Sequence, residues 1–167
     1  PAAFAQAGTD EILRAWGSLG YPRRALRLKE CAQVIVDEHG GKVPEDVDKL
    51  LALPGIGDYT ARAVACFAYG KNVPVVDTNV RRVVARVERG EALGAPGKKE
   101  IEQVAALLPA ENGPEFSVGL MELGALVCTA RAPKCGECPV SDECAWLAAG
   151  KPEAEVKKRT QKFVGTD

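Results

Sequence analysis

A chain of 167 residues with 46% hydrophobic side chains can bury a core as one compact domain or two small lobes. It has no apolar run long enough to cross a bilayer and, at a formal net charge of −1, no global basic field; aromatics at 5% are too few for a single-strand stacking platform. Any grip on a polyanion must therefore come from local geometry. The chain opens at Pro1, without Met and inside a helical pattern, which predicts an N-terminal truncation. No secretory signal opens this sequence, and the cysteines read as reduced thiols of the bacterial cytoplasm or an equivalent compartment.

Nearly every segment carries helical periodicity and none sustains strand alternation, so the fold class is all-α. Thr9 is placed to cap a helix with Asp10 and Glu11 in its first turn, ending near Gly20. Pro22 suits the first position of a long helix with Ala25, Leu28, Ala32 and Ile35 on one face, stopped by Gly40-Gly41. His39, the only histidine, falls in its last turn and reads as a helix-end residue. Asp46 caps a short helix through Leu51. Leu53-Pro54-Gly55-Ile56-Gly57 is too rich in glycine to continue it. The stripe restarts from Asp58 to Tyr69 with Ala61, Val64, Ala65 and Ala68 inward. After a brief extended passage, Asp77 opens a helix over Thr78 to Arg89 with Val80, Val83, Val84 and Val87 inward. A loop from Glu91 to Gly97 precedes helices over Lys98 to Leu108 and Pro114 to Cys128. Cys31 and Cys66, alone in apolar patterns, read as buried thiols. The expected boundaries are a helical lobe over 1–92, with a helix-hairpin-helix at about 47–70, a cysteine-bearing helical lobe over 93–150, and a charged tail or linker over 151–167.

Two features carry chemistry. Cys128, Cys135, Cys138 and Cys144 are spaced C-x6-C-x2-C-x5-C, gathering four thiolates in a stretch too short to fold alone. Four such ligands fit a cubane iron–sulfur cluster or a tetrahedral zinc, with disulfides a distant third. The hairpin is the other feature. Its glycines let the backbone turn and approach a ligand closely, and the following helix presents unpaired N–H groups at the mouth of the turn, suited to a phosphate oxygen. Arg81, Arg82 and Arg86 are expected to add a short basic surface nearby. The plain alternative is an ordinary turn between two helices.

Leu53-Pro54-Gly55-Ile56-Gly57, then Gly70, Pro74 and Asp77, then the four-cysteine loop stand in the order found in the helix-hairpin-helix–GPD DNA glycosylases. The chain resembles that family from about Asp10 to Ala145. The resemblance implies a helical barrel lobe, a cluster lobe and a [4Fe–4S] cofactor on Cys128, Cys135, Cys138 and Cys144. It implies contact with double-stranded DNA through Leu53, Gly55, Ile56, Gly57 and Thr60. Relatives similar to endonuclease III carry a Schiff-base lysine where this chain has Tyr59, so a lyase step by that route is not expected. Trp16-Gly17-Ser18-Leu19-Gly20-Tyr21, Pro96-Gly97-Lys98-Lys99-Glu100 and Met121-Glu122-Leu123-Gly124-Ala125 resemble adenine glycosylases of the MutY type. Pro22 stands where that type has a second Tyr, and Ser18 where it has Gly.

That resemblance implies removal of adenine mispaired with 8-oxoguanine or guanine by a monomer acting on DNA. Asp77 would stabilise positive charge at the sugar, Tyr59 would bond within the site, and Tyr21 would wedge or stack beside the extruded base. Asp77 is equally placed as a helix N-cap. The general-acid Glu of the family would precede Pro1, so these 167 residues alone are expected to be inactive. The type's C-terminal recognition module would follow a linker beginning at Lys151. A thymine or uracil mismatch glycosylase, a non-catalytic DNA-binding module and a redox-sensing iron–sulfur protein are the alternatives.

Overall fold

The computed structural model describes residues 1–97 and 99–153, so the expected helix start at Lys98 and residues 154–167 of the expected tail lie outside the described residues. The described elements are all helical, as the periodicity predicts: α1 (Ala2–Gln6), α2 (Thr9–Trp16), α3 (Arg23–His39), α4 (Val47–Leu51), α5 (Asp58–Ala63), α6 (Thr78–Arg89), α7 (Glu100–Leu107), α8 (Gly113–Glu122) and α9 (Ala145–Ala148). π-helical turns extend α5 over Val64–Ala68 and α8 over Leu123–Val127. No helix among the described residues is long and apolar enough to cross a membrane. The chain divides into two units, one of Pro1–Val75 with Val104–Val118 and the other of Val76–Gln103 with the described residues from Gly119 onward. The expected cut at 92/93 falls inside the second unit, because the inward side of α6 packs on α9 and on Leu123–Val127, both far downstream.

In the first unit the core forms where α3, α4 and α5 meet, with Cys31, Ile35, Leu50, Leu53, Ala61 and Ala65 packed together. Leu50 and Leu53 are nearly inaccessible, and burying each contributes about 2 kcal/mol. The Asp46 side chain accepts hydrogen bonds from the Asp48 and Lys49 amides, which fixes the start of α4. Gly40, at φ 60°, ends α3 in the left-handed conformation expected of a glycine stop.

Several local expectations shift. Gly8, not Thr9, occupies the N-cap of α2, and that helix stops at Trp16 rather than near Gly20. On α3 Leu28 is exposed, and Cys31 is buried with Ala25, Ala32 and Ile35. After α5 the wider π turn rotates the inward face by about one residue. Cys66 is buried, and Ala68 is exposed. On α6 Val87 is only half-buried, and Ala85 joins the buried set. Both isolated cysteines are buried as expected. Burial pushes the Cys31 thiol up; at Cys66 the same burial dominates, opposed by the Ser117 hydroxyl and assisted by the Glu115 charge.

Candidate functional site

Gly55 sits at φ 75°, a backbone state that L side chains rarely adopt. A Cβ there would also lie 3.1 Å from the Arg27 Cβ and 3.2 Å from its Cδ, so the aliphatic stem of Arg27 packs close over the turn and a side chain at 55 would push it back by a few tenths of an ångström. Gly57 differs: it is the extended N-cap of α5 at φ −103°, with open space where a Cβ would stand. Of the two hairpin glycines, only Gly55 meets the left-handed requirement. Leu53 is in the core, so its side chain is inaccessible to a ligand, and Ile56 is half-buried. Gly55, Gly57, Tyr59 and Thr60 are exposed. Tyr59 is 46% accessible and makes no hydrogen bond among the described residues.

Pro54, Gly55, Ile56 and Thr60 form one wall of an open groove whose other wall is Arg23, Arg24, Arg27 and Leu28 of α3. The three arginines stand in the first turns of α3, where the helix dipole disfavours cations and no acidic residue offsets them. None makes an ion pair among the described residues, although Arg14, Arg62, Lys71, Arg81, Arg89 and Lys134 all do. Arg24 lies 5.9 Å from the Trp16 ring, and the Trp16 indole N–H donates to the Gly20 carbonyl at 2.9 Å. That bond braces the turn leading to Tyr21, which is 80% exposed and held at φ 47°, a strained state for an aromatic residue.

In the second unit Asp77 caps α6. Its Oδ1 accepts from the Val80 amide at 2.7 Å and its Oδ2 from the Asn79 Nδ2 at 2.9 Å. The network continues from there: Asn79 Oδ1 accepts from Arg82 Nη2 at 2.7 Å. The same Nη2 reaches the Gly124 carbonyl at 2.6 Å, and Arg82 Nε reaches the Cys128 carbonyl at 2.7 Å. Gly124 permits this approach, because a Cβ there would meet the Asn79 Cβ at 2.7 Å and the Asn79 carbonyl oxygen at 2.9 Å. Arg86, one turn on, donates to the carbonyls of Thr129 and Ala130 and lies 3.2 Å from the Cys128 Sγ. The expected basic surface of Arg81, Arg82 and Arg86 is therefore absent. Arg82 and Arg86 are buried, and Arg81 pairs with Glu100 at 2.7 Å in a largely covered site. Sequence reasoning missed them, yet a signal existed. Asn79, Arg82, Val83 and Arg86 recur at helical spacing on the apolar stripe, where a guanidinium must find partners.

Cys128, Cys135, Cys138 and Cys144 are free thiols lining one apolar cavity with Val83, Val127, Trp146 and Arg86. Among the described residues no group of three or more His, Cys, Asp or Glu is gathered as a single-ion site. Four soft thiolate donors around one cavity suit an iron–sulfur cluster. Arg86 supplies a buried cation there, and its Nε–H is fully covered and without a hydrogen-bond partner.

A glycine-bent helical hairpin and a four-thiol cavity together define a class. Residues 1–110 match the model of the HhH-GPD superfamily of base excision DNA repair proteins, and the chain belongs to that family. Residues 128–144 match the iron–sulfur binding domain of endonuclease III, in agreement with the expected [4Fe–4S] cofactor. The chain is similar to the adenine DNA glycosylase of Mycolicibacterium smegmatis, at 60% identity over 99% of this chain and 56% of the relative. It thus spans little more than half the length of that curated relative. Among solved structures it is similar to a thermostable thymine-DNA glycosylase, with TM-score 0.81 and 34% identity over 89% of this chain and 70% of that one. A non-covalent endonuclease III–DNA complex aligns with TM-score 0.78 and 26% identity over 90% of this chain and 70% of that one.

Proposed function

We propose that this chain belongs to a monofunctional adenine DNA glycosylase that hydrolyses the N-glycosidic bond of adenine opposite 8-oxoguanine or guanine. Asp77 carries the reading. A carboxylate is held in place through both oxygens at the head of α6, by the Val80 amide and by Asn79, whose own position is set by Arg82. As the adenine departs with the bonding electrons, positive charge grows at the sugar carbon. A fixed carboxylate stabilises that charge, either through space or by a transient bond that water then breaks. Preorganisation is the point: a side chain that need not reorient adds no reorganisation cost at the transition state.

The other roles follow the same reading. The hairpin amides at Gly55 to Thr60, with Leu53 as their anchor in the core, take a backbone phosphate, and Tyr21 stacks beside the opened site. Tyr59 replaces an amine with a phenol, which forms no Schiff base, so base removal is not coupled to strand cleavage. Cys128, Cys135, Cys138 and Cys144 ligate a [4Fe–4S] cluster, which when bound pins the loop after α8. The partner is double-stranded DNA met by a monomer in the cytoplasm, at the nucleoid.

Likeness to a thymine-DNA glycosylase supports a second reading, in which the released base is thymine or uracil opposite guanine. Identity of 60% with an adenine enzyme, against 34%, favours adenine. Base release by the full-length gene product from duplexes bearing A opposite 8-oxoguanine and T opposite G decides between them. The adenine reading expects release from the first alone and no borohydride-trapped adduct. Release of thymine alone moves the assignment to the second reading; release of neither base sinks both.

A further inference from the structure

We infer that Arg86 is the charge partner of the iron–sulfur cofactor: its guanidinium compensates the anionic cluster and raises its reduction potential. Three observations converge. First, Arg86 is 5% exposed and forms no ion pair with Asp or Glu among the described residues, so a full positive charge is buried without a carboxylate partner there. Such burial is unfavourable unless an anion lies close. Among the described residues the four cysteines are the only acidic groups lining its cavity, and the second cation on that lining, Lys134, is exposed and lies 3.9 Å from Glu137. Second, Nη1 lies 3.2 Å from the Cys128 Sγ, within reach of an N–H···S bond, and Nε is covered without a hydrogen-bond partner. Third, the Trp146 ring stacks 4.4 Å from the guanidinium carbon and holds its plane in the cavity wall.

A carbonyl cap alone would leave these facts unexplained. Arg82 performs that structural task one turn earlier, reaching the Gly124 and Cys128 carbonyls, and it does not line the cavity. Arg86 differs in touching a ligand sulfur. Reduction adds one electron to a group already negative, so a nearby cation and an N–H donor to a thiolate favour the reduced form.

The test uses the cluster-loaded full-length protein and its Arg86→Lys, Arg86→Gln and Arg86→Met variants, with iron content, one-electron potential by voltammetry and the Fe–S(Cys) vibrational bands as readouts. Arg86→Met is expected to lower the reduced-to-oxidised ratio at fixed potential about tenfold, equivalent to a shift of about 59 mV. Arg86→Lys, which keeps the charge and loses the planar fork, is expected to shift it less and to retain iron. Where the neutral variants lose iron and Arg86→Lys keeps it, charge compensation stands. A wild-type potential and unchanged bands in loaded Arg86→Met overturn the inference. So does equal iron loss in all three variants with helix content intact, which would reduce Arg86 to a carbonyl cap. None of these readouts depends on which base the enzyme removes.

Discussion

Arg23, Arg24 and Arg27 on α3 and Arg82 and Arg86 on α6 are the same residue at similar helical spacing, yet the two groups sit in opposite environments. The first three line an open groove beside the hairpin without an acidic partner. The other two are buried, and each is satisfied mainly by main-chain carbonyls of the segment from Gly124 to Ala130. A planar fork of donors suits either task, because it can span several acceptors from one fixed position. What separates them is the neighbouring sequence. On α6 the arginines interrupt a valine stripe and are carried inward with it, whereas on α3 they stand with Leu28, itself exposed. Charge on a helix is thus no guide to a nucleic-acid surface until the apolar face has been located.

The largest expected effect lies at the end of the buried arginine network. Asp77→Asn keeps an acceptor for the Val80 amide but turns a donor toward the Asn79 Nδ2 from which Oδ2 accepted, so stability is expected to fall by about 1 kcal/mol. Under the proposed reading base release by the full-length protein should fall on the order of 10³-fold under single-turnover conditions, because the carboxylate charge is lost while the fold is kept. Thermal melting and duplex binding measured on the same variant separate the two roles. A variant that melts early and binds poorly would reassign Asp77 to capping alone.

Next in size is Arg82→Ala. It removes the guanidinium from the Gly124 carbonyl, leaves the Cys128 carbonyl with only the longer bond from Arg86 and frees Asn79, costing about 3 kcal/mol and lowering the melting temperature by roughly 10 °C. Chemical denaturation checks the first figure and calorimetry the second. A loss no larger than that of an exposed arginine would erase the contrast between the two groups.

How much of this was legible follows from distance along the chain. Asp46 and Asp77 as caps, Gly40 as a stop and the cysteine spacing rest on interactions spanning a few residues, and each is readable from the local sequence. The fate of Arg82 and Arg86 was not, because their partners lie 42 to 46 residues downstream and exist only once the π turn after α8 has docked on α6. The exposure of Ala68, counted inward from the sequence, has a smaller cause. A single wider turn breaks the 3.6-residue period on which the inward face was counted. Gly55 was readable as a turn residue. Its second duty, clearing a path for the Arg27 stem, needed the packing of α3 against the hairpin.

The smallest effect tests the exposed group. Arginines that hold phosphates release counterions, so the logarithm of the duplex affinity falls linearly with the logarithm of salt concentration, with a slope of about −0.9 for each phosphate neutralised. Replacing Arg23, Arg24 and Arg27 by alanine, singly and together, is expected to flatten that slope by up to about 0.9 for each phosphate left without its arginine, with little change in melting temperature. Removing three unpaired cations from the positive end of α3 relieves an unfavourable dipole, so stability should hold or rise by a few tenths of a kcal/mol. The comparison sharpens if Arg82→Lys, which retains its charge in the interior, leaves the salt slope at the wild-type value. It breaks if the triple variant binds DNA with an unaltered slope, since the three guanidiniums, which make no ion pair among the described residues, would then not hold the ligand's phosphates.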